Sequence, residues 1–264
     1  MTMKSKTSKS KNTQTGRSQR SKGLVYKAVR SKASNSRESS QRVYKTPKAF
    51  TSWVKKLIHL MNTYYPDVKC ALNYSNPEEL LVATILSAQC TDKRVNIVTE
   101  TLFKKYKVPQ DLATIDLEEL EQAIKSTGFY KNKAKNIKAC CQELVRVHGG
   151  RVPPDMEKLK ALAGVGRKTA NVVLGECFQI ADGIVVDTHV RRLSNRFELT
   201  QSQNPIVIEK DLQKIIPPKH WIEFSHWLIH HGRGPCKAQR PRCEDCFLMK
   251  DCPSSTQRGL LIAK

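Results

Sequence analysis

The chain has 264 residues, a formal net charge of +22 and a pI near 9.7, which favours a polyanionic partner, nucleic acid before an anionic membrane surface. No stretch approaches the roughly 18 apolar residues of a membrane-spanning helix, and the N-terminus lacks an apolar signal-peptide core, so an intracellular protein is expected. The nine cysteines are an odd number in a chain of this length, which favours metal ligation or free thiols over a disulfide framework.

Residues 1–46 are rich in Ser, Lys and Arg and include a single acid, Glu38. With few apolar residues to bury, this segment is expected to be a disordered basic tail that raises the affinity for DNA. An organelle transit peptide is the alternative, because such peptides are also basic, Ser-rich and poor in acids. The tail has no clear amphipathic helix that would support this alternative.

Helical patterns follow the tail. Apolar residues recur at three- and four-residue steps from Phe50 to Tyr64, which predicts a first helix. Residues 78–89 are apolar nearly all round, which predicts a helix in the middle of a core. Thr91 and Asp116 are suited to cap two further helices.

Another helix is expected over residues 132–148, before the Gly149-Gly150 pair. Only residues 184–186 resemble a β-strand, and that segment is too short to found a sheet. The predicted fold class is therefore all-α.

Residues 156–178 predict two helices joined by the hairpin Ala163-Gly164-Val165-Gly166. The glycines permit a tight turn, and free N–H groups at the start of the second helix bind a DNA phosphate without reading sequence. Gly164, Gly166 and Arg167 are therefore candidate DNA-binding residues. The segment resembles the helix-hairpin-helix element, although Ala163 stands where glycosylases usually have Pro.

Lys168 lies in the first turn of the second helix of this motif. There the positive end of the helix dipole and the neighbouring Arg167 disfavour a charged amine. This is a poor position for stability but a good one for a nucleophile, because attack requires the neutral amine. Non-enzymatic helix-hairpin-helix proteins also carry lysines here that contact phosphate, so the motif alone leaves both roles open.

Asp187 follows an apolar run and begins a helix in the segment Val186-Asp187-Thr188-His189-Val190. By itself this pattern indicates an ordinary N-cap aspartate. The segment, about nineteen residues beyond Lys168, resembles the one that carries the catalytic aspartate in the endonuclease III family. The resemblance implies that Lys168 and Asp187 converge as the catalytic residues, and His189 is interpreted as structural.

A four-cysteine element lies near the C-terminus, with six, two and five residues between successive cysteines. Four thiolates favour a soft cation or an iron-sulfur cluster. A structural zinc site is an alternative, because zinc is also bound by four cysteines. Structural zinc sites usually pair two two-residue spacings, whereas this spacing resembles the [4Fe-4S] loop of the endonuclease III group. The candidate cluster ligands are Cys236, Cys243, Cys246 and Cys252.

The long first loop of this element is basic and is expected to bind phosphates through Lys237, Arg240 and Arg242. The other five cysteines are expected to be buried thiols on apolar helical faces. These are Cys70, Cys90, Cys140, Cys141 and Cys177.

The resemblance extends from about Pro47 to about Cys252 and implies two helical domains with the active site in the cleft between them. Residues 70–181 would form a six-helix domain. Residues 47–69 and 182–256 would form the iron-sulfur domain, and residues 257–264 a C-terminal tail. In Leu86-Ser87-Ala88-Gln89 the family's glutamine fills the gap left by an extruded base, which implies DNA contact for Gln89.

The implied activity is that of a monomeric DNA glycosylase and abasic-site lyase, acting on oxidised pyrimidines in duplex DNA. An adenine glycosylase is disfavoured, because it lacks this lysine and usually continues into a further domain after the cluster. Relatives that act on pyrimidine dimers or mismatched thymine remain alternatives. A non-catalytic DNA-binding protein that uses the cluster as a redox sensor is another.

Overall fold

The computed structural model describes residues 43, 44 and 46–256, and in this part of the chain all regular structure is helical, as predicted. The predicted tails lie outside the described residues, except for Val43, Tyr44 and Thr46. The α-helices are α1 (Pro47–Tyr64), α2 (Pro77–Leu86), α3 (Asp92–Lys105), α4 (Pro109–Thr114), α5 (Leu117–Ile124), α6 (Tyr130–His148), α7 (Met156–Ala161), α8 (Arg167–Phe178), α9 (Thr188–Arg196), α10 (Pro205–Ile215) and α11 (Trp221–Arg233). Two short 3₁₀ turns, Lys125–Thr127 and Pro218–His220, complete the regular structure of this region.

Side-chain caps set the beginnings of several helices where the sequence predicted them. The Thr91 hydroxyl accepts from the Arg94 N–H at 3.4 Å to begin α3, and the Asp116 carboxylate accepts from the Glu118 N–H at 2.8 Å to begin α5. Each cap satisfies an N–H group that has no partner within the helix.

A first hydrophobic core is built around α2. Leu80, Leu81, Ala83 and Leu86 are fully buried, which confirms the prediction that α2 is a central helix. Helices α3, α6 and α8 pack against α2, while α4, α5 and α7 add buried residues to the same core, which runs from Leu72 to Leu174. Because α2 is apolar on every side, it is stable only where other parts of the protein cover its whole surface.

A second core combines α1 with the C-terminal helices. Trp53 and Leu57 of α1 pack with Phe197, Phe224 and Trp227. A first helix far away in sequence thus shares a core with α9 to α11. The domain boundaries themselves stay a proposal.

The last residues of the predicted tail contact this second core. The Tyr44 ring stacks on Trp53 with centroids 5.4 Å apart, and the Val43 N–H donates to Glu198 at 2.8 Å. The body of the protein therefore begins a few residues before Pro47.

The segment before α9 differs from its sequence pattern. Residues 184–187 form no strand, because no neighbouring segment pairs with them, and Ile184 is instead buried in the second core. None of the helices among the described residues has both the length and the apolar character needed to cross a membrane.

Candidate active site

A cleft of about 330 Å³ lies between the two cores, and helices of both contribute to its walls. Lys168 of α8 reaches it from the first core, and Asp187 at the start of α9 reaches it from the second. Gln89, which follows α2, lies at the same cleft. The structure thus brings together three predicted site residues that are far apart in sequence, in a cavity of the size that small ligand groups occupy.

The glycine hairpin exposes the start of α8. Gly164 has φ +76°, and a Cβ atom there would lie 2.9 Å from Cβ of Asn136, so both the backbone conformation and the close approach require glycine. Gly166 begins α8 without any side-chain cap and with open space around it. No side chain of the described residues caps the first N–H groups of α8, so they are available to an anion.

Lys168 is exposed at this end of α8, whereas the neighbouring Arg167 forms ion pairs with two acidic residues. The Arg167 guanidinium lies 2.9 Å from Glu209 of α10 and 3.2 Å from Asp182, and these acids raise its pKa, Glu209 most strongly. Glycine at position 183 leaves room for the Glu209 carboxylate, because a Cβ atom there would collide with it. The pairing does not support the predicted phosphate contact of Arg167, which instead joins the two cores.

Asp187 is held by its own helix. Its Oδ1 accepts a hydrogen bond from the Val190 N–H at 2.8 Å, so the carboxylate is both the N-cap of α9 and part of the cleft wall. His189 lies 3.3 Å from Arg192, and burial lowers the pKa of the imidazole. These contacts agree with the structural interpretation of His189.

Sequence reasoning missed a buried polar chain in the cleft wall. Glu176 of α8 lies 2.5 Å from His226 of α11 and accepts from the Tyr74 hydroxyl at 3.2 Å. Burial by itself raises the pKa of Glu176, but the hydrogen bonds from His226 and Tyr74 and the charge of His226 lower it overall. Glu176 lies on the second helix of the helix-hairpin-helix segment, but no motif assigns it a role or joins it to His226 and Tyr74. Only the packing of α8 against α11 could reveal this contact.

A second missed pair spans the cleft. Arg233, at the end of α11, lies 2.6 Å from Asp92 in the first turn of α3, and both residues line the cavity. Together with the pairs of Arg167 and Glu176, this contact joins elements of the two cores beside the catalytic candidates.

Gln89 and Phe129 are two of the exposed non-glycine residues that adopt the left-handed conformation. Gln89 has φ +54°, and Phe129, whose side chain is 66% exposed, has φ +49°. Non-glycine residues adopt this conformation rarely, and it recurs at functional sites. The sequence signal for Phe129 was an aromatic residue directly after Gly128, outside any apolar helical face.

The five cysteines outside the C-terminal element were predicted to be buried thiols, and only two of them are buried. Cys140 and Cys141 are buried, as predicted, and burial raises the pKa of Cys140 to about 12. Cys70, Cys90 and Cys177 are only partly buried: Cys70 and Cys90 lie in loops and Cys177 lies near the end of α8, not on inner helical faces. Cys70 also lines the cleft.

The four C-terminal cysteines line one cavity of about 140 Å³, together with Arg196 and His231. Burial raises the pKa of Cys246 to about 11 and that of Cys252 to about 12, so thiolates here require a compensating cation. N–H groups already point at the sulfurs, from Arg196 to Cys236 at 3.2 Å and from Leu248 to Cys246 at 3.4 Å.

The four cysteine sulfurs round this cavity suit a metal group that binds four thiolate ligands. Within the described residues, no three Cys, His, Asp or Glu side chains are arranged round a single metal ion. The four sulfur donors that line this cavity are ligands suited to an iron-sulfur cluster or to a soft metal ion.

The basic loop between Cys236 and Cys243 is exposed at Lys237, Arg240 and Arg242. Arg196 of α9 holds its first half, donating to the Lys237 carbonyl at 2.7 Å and to the Ala238 carbonyl at 2.9 Å. Arg242 lies 3.7 Å from Asp245, an open surface contact that leaves it accessible to a phosphate.

Comparison with known proteins gives a family match over residues 82–218, to the HhH-GPD superfamily base excision DNA repair protein model. Endonuclease III of Synechocystis sp. is 50% identical over 200 residues, 76% of this chain and 91% of the relative. Endonuclease III of Bacillus subtilis is 48% identical over 195 residues, 74% and 89% of the two chains. A solved structure of a trapped endonuclease III–DNA covalent intermediate, an estranged-adenine complex, aligns with a TM-score of 0.74 and 44% identity, covering 79% of this chain and 98% of that one.

Proposed function

The chain belongs to the HhH-GPD superfamily of base excision DNA repair proteins, and we propose that it removes oxidised pyrimidines from duplex DNA and then nicks the strand at the abasic site. It is a DNA glycosylase and abasic-site lyase of the endonuclease III kind. The observation that supports the residue assignment is the shared cleft, whose walls include both Lys168 and Asp187.

The first requirement is access to the sugar. C1′ of a nucleotide cannot be reached inside a duplex, so the damaged nucleotide leaves the stack and enters the cleft. Gln89, exposed at the cleft edge in a left-handed turn, fills the space that the nucleotide vacates. Lesions that pair or stack weakly cost less to extrude, which contributes to their selection.

Base removal follows from the two cleft residues. The neutral amine of Lys168 attacks C1′ and forms a C–N bond, while the bond from C1′ to the base breaks and the base leaves with the electron pair and takes up a proton. The carboxylate of Asp187 accepts the proton that the amine loses, or stabilises the positive charge that develops on the sugar.

Strand cleavage uses the same covalent linkage. Opening of the sugar ring gives a Schiff base between Lys168 and C1′, which makes the hydrogens on C2′ acidic. Loss of one such proton and expulsion of the 3′ phosphate complete the β-elimination. Hydrolysis of the Schiff base then frees Lys168, and one residue therefore serves both activities.

Phosphate contacts hold the duplex in register on both sides of the cleft. The N–H groups at the start of α8, after Gly166, bind one phosphate, and Gly164 shapes the turn that leads to them. Lys237, Arg240 and Arg242 bind other phosphates through charge. Neither set reads bases, which suits an enzyme that meets lesions in any sequence.

We further propose that Cys236, Cys243, Cys246 and Cys252 hold a [4Fe-4S] cluster. When bound, it supplies four metal-thiolate bonds that fix the C-terminal loop, in place of a larger hydrophobic core. Arg196 and the Leu248 N–H donate to the ligand sulfurs, and Arg196 fixes the loop that presents Lys237 to DNA. The location proposed for this activity is intracellular, where genomic DNA is found.

The lesion choice is tested with a panel of duplexes holding thymine glycol, dihydrouracil, a pyrimidine dimer, an adenine mispair or an abasic site. We expect cleavage of the strand with thymine glycol or dihydrouracil. Cutting confined to the dimer or to the mispaired adenine would move the enzyme to another specificity within the family, and no cutting of any abasic duplex would leave a non-catalytic DNA-binding role.

A further inference from the structure

Lys133, near the start of α6, is a buried cation that the chemistry above does not use. It is 5% exposed, and no carboxylate pairs with it among the described residues. Burial lowers the pKa of its ammonium group. A buried lysine is costly unless all its hydrogens find acceptors, so its position requires an explanation.

The acceptors are backbone carbonyls from two separate segments. Nζ of Lys133 donates to the Leu86 carbonyl and to the Thr127 carbonyl, each at 2.8 Å. Leu86 ends α2 and Thr127 ends a 3₁₀ turn. Carbonyls at the end of a helix lack helical partners and carry its negative dipole, so one ammonium stabilises two such ends at once.

Each of these carbonyls lies just before one of the left-handed, exposed residues. Gln89 comes three residues after Leu86, and Phe129 comes two residues after Thr127. The single Nζ atom of Lys133 therefore keeps the two turns next to each other, with one exposed side chain on each.

We propose that Lys133 is a positioning residue that sets the separation of Gln89 and Phe129, so that the two side chains meet the duplex as one rigid surface where the nucleotide leaves. This inference rests on the proposed function, because it assigns Gln89 to the vacated stack. Errors of about 1 Å in such positioning cost up to about 100-fold in rate.

The test uses Lys133→Met, which keeps the length of the side chain and removes its donors. The matched control is Lys138→Met, since Lys138 on the same helix also donates to a backbone carbonyl, that of Ile115 at 2.7 Å, but at a loop without a cleft residue. Single-turnover excision of dihydrouracil is measured in a fully paired duplex and in an unpaired bubble, where little stacking opposes extrusion.

We expect Lys133→Met to slow excision about tenfold more in the paired duplex than in the bubble, while Lys138→Met slows neither. Equal slowing of both substrates by Lys133→Met would show a merely structural role and overturn the inference. Failure of the wild-type protein to cut either substrate would instead overturn the proposed function.

A second measurement applies if Lys133→Met does not fold. Gln89→Ala and Phe129→Ala change exposed side chains, so both variants should fold. If the two residues act as one surface, their effects on excision from the paired duplex are strongly non-additive, and the double variant is little slower than the worse single variant. Additive effects would overturn the inference.

Discussion

Oε1 of Glu176 lies 2.5 Å from Nε2 of His226, and this contact joins α8 of the first core to α11 of the second in the wall of the catalytic cleft. Both side chains are largely buried, at 10% and 15% exposure, so little solvent screens the pair. A pair in this position links the stability of the cleft to pH.

The first prediction follows from the lowered pKa of Glu176, whose ordinary value is 4.5. A carboxyl with a depressed folded-state pKa contributes stability that is fully present above the unfolded value and is lost as pH falls through the folded value. In urea titrations, the free energy of unfolding should therefore fall more steeply below about pH 4.5 for the wild type than for Glu176→Gln. Glu143→Gln, which breaks a surface pair with Arg146, should follow the wild type; if Glu176→Gln also follows it, the pair has no such role.

The second prediction concerns the nucleophile. Borohydride reduces a Schiff base, so wild-type protein should become covalently fixed to DNA that contains a lesion. Lys168→Gln should abolish this trapping while DNA binding in a gel-shift assay stays close to wild type, because glutamine keeps polarity and has no nucleophilic amine. Lys104→Gln, at a surface pair with Glu100 on α3, is the control and should trap normally. Trapping by Lys168→Gln at the wild-type rate would assign the attack to another amine.

The third prediction separates the two roles of Asp187. Asn is as good an N-cap as Asp, so Asp187→Asn should keep the thermal midpoint and slow base release by about 10² to 10³-fold through the loss of charge. Asp187→Ala should show the same slowing and lose about 1 kcal/mol of stability as well. Asp116→Ala, at the start of α5, is the matched control, since it removes a cap away from the cleft and should lower stability alone. Normal base release by Asp187→Asn would leave Asp187 as a cap only.

The fourth prediction concerns the cysteine cavity. Protein purified without oxygen should be yellow-brown and contain about four irons per chain. Cys243→Ser should lose the colour and weaken DNA binding, because the loop carrying Lys237, Arg240 and Arg242 is no longer fixed. Cys177→Ser, outside this cavity, should keep the iron. Colourless wild-type protein that contains zinc would establish the competing four-cysteine zinc site instead.

The fifth prediction concerns the basic tail. Removing residues 1–40 should weaken non-specific DNA binding and flatten its dependence on salt, because each lost phosphate contact lowers the slope by about 0.9. The deletion stops before Val43 and Tyr44, which contact Glu198 and Trp53, so the body of the protein is kept intact. Lesion choice should not change. An unchanged salt slope would favour the targeting role of the tail.

Local sequence patterns predicted much of the fold. The apolar periodicity of α1, the all-round apolar surface of α2 and the caps at Thr91 and Asp116 each predicted the observed helix, because these signals act within a few residues of one another. The resemblance added the pairing of Lys168 with Asp187, which no local signal could supply. Residues 184–186 have strand-like composition but were predicted to be too short to found a sheet, and they form no strand in the described part of the chain.

The sequence by itself determined the all-α class, the glycine hairpin, the four-cysteine spacing and the candidate residues that lie inside such motifs. Only the tertiary structure decided that Arg167 is engaged by Glu209, that Glu176 meets His226, and that Lys133 joins the turns of Gln89 and Phe129. The physical reason is distance along the chain. Caps, turns and helical faces depend on residues a few positions apart, whereas an ion pair between two helices or a buried ammonium between two loops depends on how those elements pack, and its members carry no pattern that joins them.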